Sequence, residues 1–585
     1  MVLVIYVVLA GLFGSRLALW EAPDEPAHYA AALQRAGVAT PQHNEAVATL
    51  SAPDPPLFPL VAAVALVVGK PDGMPGVRPN PQFLVTHQGG IYEEAMVHGQ
   101  DELPPWSADV AAVHHVRWLA TVLGAFAVIA SYGLGRLLFD GWLPAVALAG
   151  SVAWLPAIVF TTATVEPLSL AIAGGAWTLF AAVRTVLQPA HPGWMLLCGT
   201  AAGLSALAAP AGLVLTMPLI AATIWVGVRP AVSPRQRMAA LCGPVAWLAT
   251  GGWWYLRQAP NGFLAWLLPG TDAAIARTLN AEAARLQPPV IGAHPLVQTF
   301  VGRFGWETTR APGWTYDLVT LVLLCALIGL VGTLYVRLSP HRRPPRPTVA
   351  VWAVLTLTCL ASFLLVVGPA SQHPEMLAVD GRPMLVVIPA WLAVVIAGLC
   401  SFWGQRLKSS AFIIAPAALV LSILTLPDLR TAHYHHDPIW AQPSVTRMTR
   451  SGAATFAVKT VLFGYRLDRG TVRPGETVHI FLYWRSPSPP PNFQTFVHIA
   501  SADGRPIAQK DQEPGHGWYP PAQWQPEDVV EDDHELFVPP GTAPGSYSII
   551  AGAYDLRTVQ RYPVTDSTWP VVASAVVVGN VKVAP

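Results

Sequence analysis

Long apolar runs, each closed by a polar break, fill the first three quarters of the chain. They lie near residues 1–18, 115–138, 143–162, 167–187, 194–208, 210–228, 238–256, 316–337, 349–368, 384–403 and 411–427. A spanning helix needs about 17–25 apolar residues in succession, so the pattern predicts about eleven membrane helices. The runs that meet at Ala209-Pro210 are read as two short helices. Two long stretches, 19–114 and 257–315, interrupt the series. Inside the first, LFPLVAAVALVVG (57–69) is apolar but too short to span, and is expected to lie flat at the interface or to re-enter. From about Thr446 the period changes from helical to alternating. In TVHIFLYWRS, Val478, Ile480, Leu482 and Trp484 alternate with His479, Phe481, Tyr483 and Arg485, and FQTFVHIA and GSYSIIAGAYDL alternate too. RPGE, ADGR and PPGTAPG supply turns between them, which predicts a β-sandwich of about seven or eight strands. The expected fold is an α-helical polytopic membrane protein over 1–428, a linker over 429–445, and a C-terminal all-β sandwich domain over 446–585.

Composition agrees with a lipid-solvated chain. Of 585 residues, 53% are hydrophobic and 12% charged, against about 25% charged in soluble domains. A net charge of +1 gives no footprint for nucleic acid. The five cysteines all fall inside apolar runs without C-x-x-C spacing, so they read as packing residues. Basic residues set the orientation. Arg136, Arg184, Arg229, Arg235, Arg237, Arg337, Arg342, Arg343, Arg346, Arg406 and Lys408 share one side if the N-terminus is cytoplasmic. That places 19–114, 257–315 and the sandwich outside the cell membrane. No basic residue precedes the first apolar run, so a truncated or misassigned start is expected rather than a signal peptide.

Candidate chemistry gathers at the outer boundary. The stretch EAPDEPAHY (21–29) follows the first span directly. PAHYAAALQRAG reads as a helix, with Pro26 at its first position, Arg35 in its last turn and Gly37 as its stop. Asp24 and Glu25 either cap that helix or do chemistry at the membrane surface. Glu166, in TTATVEPLSLAIAGG, opens another span on the same face, where a carboxylate beside hydrocarbon is costly without a partner. Arg117, Arg257, Arg303 and Arg382 occupy matching positions. Each either snorkels to the interface or binds phosphate oxygens in bidentate fashion. A carboxylate that takes a proton from an attacking hydroxyl beside such arginines suits group transfer from a lipid-anchored phosphate. In the sandwich, Trp484 alternates with core residues, while Trp518, Tyr519 and Trp524 in a loop are candidates for stacking on sugar rings. HYHHD (433–437) reads as solvated linker, not as a metal site.

APDEPAHY followed by DPPLFPLVAAV resembles the first loop of a bacterial polytopic membrane family written PPDEPAHF…QPPLYY. GGWWYLRQ resembles its GWWYLRN segment, FVGRFGW its WGRFGW segment, and VDGRPML its QGRYLxP segment. That family is similar in layout to the GT-C membrane glycosyltransferases, among them protein O-mannosyltransferases and aminoarabinose transferases. The resemblance implies a catalytic acid in the first outer loop, here Asp24 with Glu25 beside it. It also implies a polyprenyl-phosphate sugar donor and a glycan, lipid or protein acceptor. His28 and Tyr29 of the first motif are then expected to contact substrate, Glu25 or Glu166 to orient sugar or base, and the four arginines to hold the donor phosphate. No cofactor is required, although the acidic pair leaves room for Mg or Mn. Ala209 stands where related chains carry Lys. The alternative reading is a non-catalytic scaffold or carrier for envelope polysaccharide or lipid. A carrier would place ionisable groups at mid-membrane, and these spans hold almost none.

Overall fold

The computed structural model describes residues 1–22, 24–38, 55–77, 96, 98–99, 102–139, 141–258, 295–304, 309–310, 313–338, 346–372, 381–402, 411–425, 434–435, 448–517, 519, 521–526 and 528–584. They form two compact units, Met1–Val77 with Asp101–Ala432, and Arg78–Gln100 with His433–Pro585.

The first unit is helical. In chain order its helices are α1 (Val2–Arg16), α2 (Glu25–Ala36), α3 (Leu57–Gly69), α4 (Ala108–Leu138), α5 (Leu143–Trp154), α6 (Pro156–Thr161), α7 (Leu168–Leu187) and α8 (Pro192–Ala208). Then come α9 (Thr216–Val228), α10 (Pro234–Ala240), α11 (Cys242–Trp247), α12 (Trp253–Gln258), α13 (Pro295–Val301), α14 (Gly313–Leu338), α15 (Arg346–Gln372), α16 (Ile388–Phe402) and α17 (Ala411–Thr425). Among the described residues six stretches are long and apolar enough to cross a membrane, and five shorter apolar helices accompany them. Their outward faces are apolar, as on α14, where Leu318, Leu321, Leu324 and Ile328 are exposed. That suits lipid rather than water.

Several predicted helices are broken in ways that a plain apolar run conceals. Residues 143–162 divide at Leu155, which precedes Pro156 and adopts extended backbone. Residues 210–228 open with a 3₁₀ segment at Pro210–Leu215, and 384–403 with one at Arg382–Val387. The run 238–256 includes a π-helical segment, Leu248–Gly252. There Gly251 lies so close to the Gly203 carbonyl of α8 that any Cβ would collide, so glycine is needed for the approach. The short helix α3 packs Phe58, Ala62 and Leu66 inward and exposes Leu60, Val64, Val67 and Val68.

Among its described residues the second unit contains two large sheets and a two-residue parallel pair, His98–Gly99 with Tyr434–His435. The strands of the large sheets are β1 (Arg450–Phe456), β2 (Val461–Leu467), β3 (Thr471–Val472), β4 (Thr477–Arg485), β5 (Gln494–Ala500), β6 (Pro506–Gln512), β7 (Val530–Phe537), β8 (Gly545–Tyr554), β9 (Val564–Ser567), β10 (Val571–Val572) and β11 (Ala575–Val583). One sheet runs β7-β4-β2-β1-β9, and the other β6-β5-β8-β11-β10 with β3 on β11. Among the described residues eight strands are of ordinary length, beside an expected seven or eight; β4, β5 and β8 cover the three alternating segments, and the short β3, β9 and β10 are additions. The inner faces share one core that includes Ile480, Leu482 and Trp484 from one sheet and Val497, Ile499, Ile549 and Val576 from the other. Within that core, Asp532 and His534 are fully buried. Period-2 reading of VEDDHELF puts them inward with Val530 and Leu536, a signal that the charge of the segment hides.

Candidate functional site

Arg117 and Glu25 organise the boundary between α1, α2 and α4. Glu25 is fully buried, and both its oxygens are taken. Oε1 accepts from Arg117 Nε at 2.9 Å and from Val165 N at 3.0 Å, and Oε2 accepts from Arg117 Nη2 at 2.7 Å and from Trp20 N at 3.3 Å. Arg117 donates its remaining N–H groups to the carbonyls of Gly14 (2.9 Å), Leu17 (2.7 Å) and Ala18 (3.1 Å), at the end of α1. All five guanidinium donors are therefore spent on protein. Arg117 has nothing left for a phosphate, and Glu25 has no oxygen left for a substrate. This corrects the phosphate-binding expectation for Arg117 and the catalytic one for Glu25: the two form a buried, hydrogen-bonded ion pair that positions others.

The neighbouring backbone is held just as firmly. Trp20 sits at φ 68°, an outlier for a bulky residue, with its indole N–H on the Gly76 carbonyl at 3.1 Å. Leu19 N donates to Glu102 Oε2 at 3.3 Å. Four residues later Asp24 is also left-handed, at φ 61°. Its carbonyl accepts from His28 N at 3.0 Å and so opens α2, but its side chain makes no capping bond and is exposed. Of the two roles open to the acidic pair, the Asp24 carboxylate does not cap.

The bond from Val165 N to Glu25 brings the α6–α7 loop against the start of α2. Glu166 follows Val165 and keeps part of its side chain at the surface. Burial pushes its carboxyl above the usual carboxylate range; His28 and Arg382 pull it back, and Asp24 adds to the rise. Asp24, His28 and Arg382 thus each lie within electrostatic reach of Glu166. Glu166 Oε1 also accepts from Leu168 N, at a long 3.4 Å. His28, nearly buried, meets Phe58 of DPPLFP edge-on at 6.5 Å, which joins the two parts of the first motif. Tyr29 is fully buried with its ring 5.6 Å from that of Trp20, a packing position on the inner side of α2. Arg382 opens its 3₁₀ segment half-buried. The preceding Gly381 N donates to Thr299 Oγ1 of α13 at 2.7 Å, so VDGRPML meets the helix that leads into FVGRFGW.

Arg257 is not drawn into this group, and other expected residues lie elsewhere or outside the described ones. Arg257 is exposed at the end of α12, which is anchored through Tyr255 Oη on the Ala206 carbonyl at 2.6 Å. Among the described residues no ion pair joins Arg257 to Asp24 or Glu166. The backbone of Arg303 pairs with Arg310 in a two-residue strand, and its side chain lies outside the description. In the sandwich, Trp518 lies outside the described residues. Trp524 is fully buried, edge-on to Phe493 at 5.7 Å, with its indole N–H on the Tyr519 carbonyl at 2.9 Å. It is a core anchor and has no face for a sugar, which corrects that expectation. Tyr519 is half-buried, and its hydroxyl donates to Asp528 Oδ2 at 2.5 Å. The sequence reading missed the residues that hold the site: Val165, Glu102 and Thr299 act through a backbone amide or across long separations, and no local spacing marks them.

No family model and no curated protein matches the sequence. Among solved structures, the chain is similar to ArnT from Cupriavidus metallidurans bound to undecaprenyl phosphate, at 13% identity and TM-score 0.38, over 74% of this chain and 75% of that one. It is similar to the Archaeoglobus fulgidus oligosaccharyltransferase at 13% identity and TM-score 0.34, over 74% of this chain and 56% of that one. The S. cerevisiae protein O-mannosyltransferase complex bound to its sugar donor matches at 16% identity and TM-score 0.32. There the match covers 46% of this chain and spans about a third (34%) of the other. These TM-scores are low.

Proposed function

We propose that this chain is an integral membrane glycosyltransferase of GT-C type that moves a sugar from a polyprenyl-phosphate donor to an acceptor hydroxyl on a glycan, lipid or protein. One observation carries the reading. The Glu25–Val165 bond joins the segment of the exposed, left-handed Asp24 to that of Glu166, and Asp24, Arg382 and His28 each act electrostatically on Glu166. Two carboxylates and two cationic or titratable groups at the end of membrane helices suit a reaction that removes a proton and releases an anion. The motif resemblance points the same way.

In this reading Asp24 accepts the proton of the acceptor hydroxyl as its oxygen attacks the anomeric carbon. The bond from that carbon to the donor phosphate oxygen breaks, and polyprenyl phosphate leaves with the electron pair. Arg382 stabilises the phosphate charge, with Arg257 and Arg303 as the further phosphate-binding residues of this reading. Glu166, with its carboxyl raised by burial, donates or accepts a hydrogen bond on the sugar. His28 balances the two acids. The Glu25–Arg117 pair holds the base in place without touching substrate. Among the described residues no group of three His, Cys, Asp or Glu side chains is arranged to hold a metal ion. Asp24 and Glu166 are the side chains that would meet Mg or Mn, and the steps above do not route through one.

The test is donor turnover. Purified full-length protein is incubated with a panel of polyprenyl-phosphate sugars and an acceptor mixture, and released polyprenyl phosphate is measured. Turnover of at least one donor is expected. Absence of turnover across the panel, with folded protein, favours the scaffold instead.

A further inference from the structure

A second charged surface lies at the opposite ends of the helices. From Pro167 to Thr271 the chain contains no Asp or Glu, yet it contains Arg184, Arg229, Arg235, Arg237 and Arg257. The first four lie at or beyond the ends of α7 and α9 that point away from Glu166.

Two of them are built into aromatic seats. The Arg184 guanidinium carbon lies 5.6 Å from the Phe180 ring and 5.4 Å from the Trp194 ring. Those rings meet edge-on at 5.8 Å, and the Trp194 indole N–H is held by Gln188 Oε1 at 3.3 Å. Arg184 Nε is buried without a hydrogen-bond partner. Arg229 lies 5.1 Å from the Trp225 ring. The Trp225 indole N–H donates to the Val186 carbonyl at 3.2 Å, which ties the end of α9 to the end of α7, two residues from Arg184. Arg237 holds the turn beyond, donating from Nη2 to the Arg229 carbonyl at 2.9 Å and from Nε to the Val232 carbonyl at 3.1 Å.

A guanidinium stacked on rings keeps its planar face covered and its N–H edge available. Arginines that only snorkel to water need neither the seats nor an acid-free surround. We propose that Arg184 and Arg229 form a headgroup site for an anionic phospholipid, with phosphate oxygens accepting from the two guanidinium edges at the level where Trp194 and Trp225 sit. The partner is anionic because the segment that carries these arginines contains no acid, and among the described residues no carboxylate is ion-paired to either of them. It is a lipid because the seats are helix ends flanked by exposed apolar residues, among them Ile224 and Val228.

Native mass spectrometry of the full-length protein, exchanged from detergent into phosphatidylglycerol, phosphatidylcholine or inorganic phosphate alone, tests this. The wild type is expected to retain phosphatidylglycerol in preference to phosphatidylcholine and to show no adduct with inorganic phosphate at matched concentration. Arg184→Gln and Arg229→Gln should each weaken retention about tenfold, the effect of losing one charged contact. Equal retention of the two lipids by the wild type, phosphate adducts that replace the lipid, or unchanged preference in the double variant would overturn the proposal. If Arg184→Gln is not recovered folded, Arg184→Lys keeps the charge and removes the planar fork; unchanged retention there also overturns it.

Discussion

Glu25 and Arg117 show how an ion pair inside a membrane-boundary fold is sustained. Burying two charges costs several kcal/mol per ion unless every donor and acceptor is used. Here the carboxylate accepts four bonds and the guanidinium donates five. Breaking the pair from one side leaves an uncompensated charge. Glu25→Gln or Arg117→Met is therefore expected to lower stability by about 3–5 kcal/mol, seen as a drop in the melting temperature of the detergent-solubilised protein. The double variant should be less destabilised than the sum of the singles, and simple additivity would contradict the pairing. At this scale the sequence is half legible. EAPDEPAHY and TVEP announce their acids, but nothing in either tells that Glu25 faces an arginine far along the chain while Asp24 faces outward. The division between structural and chemical acid is a matter of tertiary placement.

Among the elements, β7 carries the sharpest internal tension. Asp532 accepts from Thr495 Oγ1 (2.7 Å), Gln512 Nε2 (2.7 Å), Gly515 N (3.1 Å) and Trp484 Nε1 (3.3 Å), and it meets His534 Nε2 at 2.8 Å. It thus ties both sheets to the turn after β6. Burial pushes the carboxyl up, but His534, Thr495 and Gln512 more than reverse this and hold it below the usual value of 3.8. A depressed folded value means that the stabilisation is present above pH 3.8 and is lost as pH falls further, through the folded value. Unfolding of the sandwich in the full chain, followed by its tryptophan fluorescence, should show that acid limb. Asp532→Asn should flatten it while costing about 1–3 kcal/mol at neutral pH. An unchanged acid limb would contradict the role given to Asp532. Strand alternation made the sandwich readable, because inward positions repeat every second residue whatever else the chain does. The break at Ala209-Pro210 was readable, but those at Leu155 and Leu248 were not readable from apolar runs alone. They depend on proline placement and on glycine contacts such as Gly203 with Gly251.

For the whole molecule, the distribution of arginine is the governing asymmetry. Arg136, Arg184, Arg229, Arg235 and Arg237 sit at one set of helix ends, and Asp24 and Glu166 at the other. From the positive-inside rule we propose an orientation with a cytoplasmic N-terminus and a sandwich on the outer side. In a cysteine-free background, a cysteine at exposed Ser488 should react with a membrane-impermeant maleimide on intact cells, and one at Gly193, which has open space around it, should not. The reverse pattern would invert the topology.

The central claim is that Asp24 is the base of a sugar transfer. Asp24 is exposed and caps nothing, so Asp24→Asn should leave the melting temperature close to that of the wild type. The decisive measurement is the rate of polyprenyl phosphate release from a donor that the wild type turns over, compared between wild type and Asp24→Asn. The account predicts a fall of about 10²–10⁴-fold, the contribution of a general base. Equal rates in the two proteins would contradict it.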